Sequence, residues 1–127
     1  MKYPFYPKSN SKLEVGEFWG IKLPNNKYAC GIVLDIPDKE KQRVRFLAGL
    51  IDWLGLKPPS NKTFQDNKVK IAQYGFAHIK TITSKGEEII GKISINTEGE
   101  EFIADDNIST WGFEFINLLA ENLSETT

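Results

Sequence analysis

The chain is poor in the side chains that most often carry chemistry. It has one cysteine, Cys30, and one histidine, His78, among 127 residues. A lone cysteine excludes an intramolecular disulfide and is compatible with a reducing compartment. One histidine without cysteine partners excludes a structural zinc site of the usual kind. No apolar run approaches the ~18 residues that a membrane-spanning helix needs. The opening MKYPFYPKSNSK lacks the apolar core of a signal peptide. The glycines are scattered and match neither a phosphate loop nor a dinucleotide fingerprint. No repeat or low-complexity tract is present, and nothing in the sequence calls for a cofactor.

What is present suits a packed globular domain. The composition is 40% hydrophobic and 26% charged, with eight Phe, four Tyr and three Trp to fill a core. A chain of this length buries about two-thirds of its unfolded surface, enough to fold without metal or disulfide staples. Residues 1–127 therefore read as a single domain. Residues 1–13 form an N-terminal arm, rich in Pro and Lys, whose Tyr3, Phe5 and Tyr6 suit packing against something.

Charge is segregated. Residues 1–86 hold 15 Lys or Arg against 7 Asp or Glu, whereas residues 87–127 hold Lys92 against 10 acids. Two explanations compete. Basic and acidic strands lying side by side would partly cancel. Alternatively, an acidic face docks a basic partner, helped by long-range steering.

Val15 to Ile36 is the best-patterned stretch. Trp19, Ile21 and Leu23 alternate with Phe18, Gly20 and Lys22, which predicts a strand with two distinct faces. Pro24-Asn25-Asn26-Lys27 is hairpin-turn chemistry, because Asn tolerates the left-handed backbone. Tyr28 to Ile36 predicts the returning strand, with Cys30 among large apolar neighbours and therefore a buried hydrophobe. A third strand is expected over Arg43 to Ile51, covered on both sides at its far end from Leu47 onward.

Beyond it, Trp53 either stands exposed as a contact residue or closes one end of the core. Val69 to Thr83 reads as a strand, a kink at Gly75 and a second strand; a helix over Phe64 to Tyr74 competes. Ser84 to Gly86 predicts a turn, and Glu87 to Asn96 a further strand with Ile89, Gly91, Ile93 and Ile95 on one face. Phe102 to Ala104 suits a short edge strand. A C-terminal helix is expected after Trp111, spanning 112–123 and capped by Ser109 or Thr110. Its inner stripe would be Phe115, Ile116, Leu119 and Leu123, with Phe113 off it. The expected fold is mainly β: a strongly bent antiparallel sheet or a partly open small barrel, with this one helix.

No residue set makes a convincing catalytic centre. Cys30 and His78 lack a third orienting group. Glu87 and Glu88 are adjacent, so in a strand they would face opposite ways. Glu98, Glu100, Glu101, Asp105 and Asp106 lack the spacing of a calcium loop and suit a solvated acidic edge. A small barrel could bind single-stranded nucleic acid through Trp19, Tyr28, Arg43 and Arg45; that is the alternative function, though most aromatics alternate as core residues do.

The first hairpin resembles the opening of the immunity protein 26 family of bacterial polymorphic toxin systems. The residues that carry the likeness are Gly16, Glu17, Phe18, Trp19, Ile21 and Leu23, then Tyr28, Ala29, Cys30, Gly31 and Val33. Ile89-Ile90-Gly91 looks like a second shared feature. Glu17 stands where the family tends to have Asp, Cys30 where it has an aromatic, and Glu88 near an expected Trp. The resemblance implies a non-catalytic, cytoplasmic protein that binds and neutralises a cognate toxin domain. The acidic last third would suit a basic toxin such as a nuclease. Glu98, Glu100, Glu101, Asp105, Asp106 and Trp53 are then the candidate partner-binding residues.

Overall fold

The computed structural model describes residues 3–37, 44–64, 69–84, 86–94, 108–112 and 114–125. Its centre is a five-stranded antiparallel sheet of Glu17–Lys22 (β1), Tyr28–Asp35 (β2), Arg45–Ile51 (β3), Ile71–His78 (β4) and Gly91–Lys92 (β5). The strand order is β4-β3-β2-β1-β5. The sheet is open, with β4 and β5 at its edges, and is not closed into a barrel. Two helices accompany it, a single turn at Lys80–Thr83 (α1) and Phe115–Glu125 (α2) near the C-terminus. No helix among the described residues is long and apolar enough to cross a membrane.

The hairpin forms as its turn chemistry requires. Asn26 adopts φ 66°, the Asn25 side chain accepts from the Lys27 N–H at 3.1 Å, and Leu23 N–H donates to Lys27 O at 2.9 Å. Register follows, pairing Trp19 with Gly31 and Ile21 with Ala29.

Both faces of the sheet are buried. One carries Trp19, Ile21, Ala29, Val33, Phe46, Ala48, Leu50 and Ala77, covered by Ile82 of α1, Trp111, and Ile116 and Ala120 of α2. The other carries Phe18, Cys30, Ile32, Leu34, Leu47 and Ile51, covered by Phe64, Val69 and Ile93. A sheet buried on both faces reads as near-continuous apolar strands, which is the pattern of β2 and β3. The small residues of the first face make a hollow for large rings. The Trp19 ring lies across Gly31 and meets Phe46 edge-on at 5.8 Å.

Several expectations are corrected. Gly75, read as a kink, lies within an unbroken strand and leaves room for Trp111, as Gly20 of β1 does for Pro59. The strand runs on through Gly75 but stops at His78, and Ile79 to Thr83 is not strand. Pairing with β3 ends at Arg45 and His78, Ile79 N–H bonds Val44 O at 2.7 Å, and the chain then turns as α1 to bury Ile82. Burial against the core overrides the β-rich composition of that segment.

Of Glu87 to Asn96, residues 87–94 are described, and among these only Gly91–Lys92 pairs as a strand. Ile89 instead exchanges backbone hydrogen bonds with Phe5 of the arm, at 2.9 and 3.0 Å. The segment thus changes pairing partner at Gly91, and Ile89 and Ile93 fall in opposite cores rather than on one face. The C-terminal helix starts at Phe115, after Gly112 rather than at it; Ile116, Leu119 and Leu123 face the core as expected, joined by the buried Asn117 and Ala120. Phe115 is largely outside and leans on the Trp111 ring. The competing helix over Phe64 to Tyr74 is also excluded at its far end, where Ile71 to Tyr74 are strand. The expected edge strand at Phe102 to Ala104 and the placement of Phe113 lie outside the described residues.

Candidate functional site

A cleft of about 430 Å³ opens where the hairpin end of β1 meets α1, Glu87 and α2. That volume is within the usual range for ligand pockets, ~300–1,000 Å³. β1 supplies Trp19 and Lys22, α1 supplies Thr81, and α2 supplies Asn117 and Glu121. Each position follows from local structure. Trp19 faces inward because strand alternation puts it beside Ile21, whereas Lys22 is the one exposed residue of β1. Thr81 and Asn117 sit on the inner sides of their helices, one residue from the core anchors Ile82 and Ile116.

Three buried polar atoms on this lining make no hydrogen bond to any described residue: Trp19 Nε1, Thr81 Oγ1 and Asn117 Nδ2. A buried donor left without an acceptor costs about 1–3 kcal/mol. The three residues that carry them all border the one cleft. The acidic component is Glu87 and Glu121. Burial pushes the Glu87 carboxyl above its ordinary range; Lys22 opposes this and Glu88 adds to it.

A second depression of about 300 Å³ adjoins the first along α2, sharing Leu23, Pro24 and Glu121 and adding Glu125. Asn25 Nδ2 donates to Ser124 Oγ at 2.8 Å there, tying the hairpin turn to the end of α2.

The residues singled out from sequence are dispersed. Glu98, Glu100, Glu101, Asp105 and Asp106 lie outside the described residues. Trp53 is half-buried and meets Phe64 edge-on at 5.8 Å, beside the second core and away from the cleft. It also lines a depression with Lys27, Asp52 and Leu54.

Cys30 and His78 are not brought together. Gly31 and Gln73 share a row through Leu50, which puts the two side chains about 20 Å apart along the strands at ~3.3 Å per residue. Burial pushes the Cys30 thiol well up, so it is protonated at neutral pH and is no nucleophile. His78 Nδ1 accepts the Lys80 backbone N–H at 3.0 Å. Burial, with Lys80 nearby, holds the His78 pKa low.

For the nucleic-acid alternative, Trp19 is fully buried and offers no ring for a base. Arg45 lies over the Phe76 ring at 4.5 Å and donates to Thr110 Oγ1 at 3.2 Å. Tyr28 is half-buried, and Arg43 is outside the described residues. No group of three or more His, Cys, Asp or Glu is placed to hold a metal among the described residues.

The cleft residues were not singled out from sequence. Asn117 offered a signal, a polar side chain on the apolar side of an amphipathic helix. Thr81 offered none, because its segment reads as strand. No family model, curated protein or solved structure matches the chain.

Proposed function

We propose that the protein is a non-catalytic immunity protein that binds a cognate bacterial toxin domain and neutralises it in the cytoplasm. The observation that carries this is where the resemblance falls. Of the hairpin residues that carry it, all but the half-buried Tyr28 are buried. The likeness therefore rests on positions that build the centre of the sheet, which change less freely than an exposed surface. The state of the two reactive side chains also favours binding over chemistry, since Cys30 is a buried thiol and His78 Nδ1 accepts the Lys80 backbone N–H. A rigid sheet buried on both faces gives surrounding loops a fixed frame from which to meet a partner.

Expression of the adjacent gene with and without this protein tests the proposal. The neighbour alone should arrest growth; the pair should grow and co-purify as a complex. A harmless neighbour that does not bind would remove the support for immunity.

A further inference from the structure

We propose that the cleft between β1, α1 and α2 is the docking site for a short basic segment of the partner, held by its amide carbonyl and its cationic side chain. This rests on the binding function proposed above and says where the partner enters. Trp19 Nε1–H is a donor only, and Asn117 Nδ2 likewise has hydrogens to give. An occupant must therefore bring acceptors, and a backbone carbonyl is the acceptor every peptide carries. Thr81 Oγ1 can give or take a hydrogen bond and suits the adjoining amide.

The charged part of the lining selects the side chain. Glu87 and Glu121 face the cleft with Lys22 as their described counter-charge. Glu125 extends the negative charge into the adjoining depression. An arriving guanidinium or ammonium would pair with these carboxylates and draw the Glu87 pKa back down. An acidic segment would be repelled. All three carboxylates belong to the acidic last third of the chain, so site and long-range field favour the same partner charge. Two adjoining depressions along α2 suit an extended segment better than a compact metabolite.

NMR of the full-length ¹⁵N-labelled protein, titrated with acetyl-Gly-Arg-Gly-amide, tests this. The Leu and Glu versions of the same peptide serve as comparisons. The Trp19 indole N–H resonance, distinguished from Trp53 and Trp111 by sequential assignment, should move downfield with the Arg peptide and stay in place with the Glu peptide. Asn117→Leu should weaken the Arg peptide about tenfold while leaving the melting midpoint unchanged or higher. A purely structural Asn117 would instead lower the midpoint and spare binding.

Thr81→Val and Glu121→Gln give independent readings if Asn117→Leu does not fold. The second should cost about threefold and flatten the salt dependence. An unmoved Trp19 resonance, equal binding of the Glu peptide, or unchanged affinity in these variants would overturn the cleft as the site. If the Arg peptide fails while toxin protection persists, the cleft is wrong and immunity stands. If the peptide binds as described while the adjacent gene product is harmless and unbound, the cleft stands and the toxin reading falls.

Discussion

Glu17 brings a carboxylate to the edge of the core, where it is fully buried. It accepts from the Tyr3 hydroxyl at 2.9 Å and from the Glu14 N–H at 2.6 Å. Burial nevertheless wins, and its pKa is raised; these two hydrogen bonds and Lys92 only oppose the shift. The folded state then holds this proton more tightly than the unfolded chain does. Stability falls as pH rises from the ordinary Glu value of ~4.3 through the raised folded value. Glu17→Gln keeps an acceptor for Glu14 and a partner for Tyr3 but removes the proton. Urea midpoints measured from acid to neutral pH should decline in the native protein and decline less in Glu17→Gln. Glu87 is shifted in the same direction and leaves a residual slope. A second residue-scale prediction concerns Gly31. A methyl group there would overlap the Trp19 ring, so Gly31→Ala should destabilise by about 1–3 kcal/mol in urea unfolding.

Among the elements, α2 is held through Ile116 and Ala120, with Leu119 and Leu123 packed beside them. Ile116 and Ala120 are fully buried, whereas Leu118 is 55% exposed. Ile116→Ala should therefore cost about 2–5 kcal/mol, and Leu118→Ala should stay within about 0.5 kcal/mol, as most exposed positions do. Paired denaturation curves check both. The elements also differ in how far their sequences disclose them. β1, β2 and the turn between them were legible because alternation and Asn25-Asn26 point the same way. The far end of β3 was legible from the loss of polar alternation after Leu47. α1 and β5 were not, because their conformations are set by distant partners. Ile79 terminates on Val44, and Ile89 pairs with Phe5, neither of which any local pattern encodes. The cleft was hidden for the same reason. Its polar atoms come from three elements, and only packing brings them together.

At the scale of the whole molecule, no salt bridge among the described residues joins a base of residues 1–86 to an acid of residues 87–127. Lys92 and Glu14 form a salt bridge at 3.0 Å between exposed side chains, the one ion pair among the described residues, and such a pair contributes little. Glu87, Glu121 and Glu125 instead gather around the cleft and its extension. These three carboxylates are thus placed to act outward, on a partner, rather than inward, on the fold. Long-range charge chiefly sets the association rate and its salt dependence. Reversal of Glu98, Glu100 and Glu101 to Lys should accordingly abolish protection against the toxin and slow association, most of all at low ionic strength, where the Debye length is longest. An unchanged thermal midpoint would place the effect on the partner rather than on the fold. Intact protection with unchanged association would remove the acidic segment from the interface and leave the cleft carboxylates as the electrostatic contact.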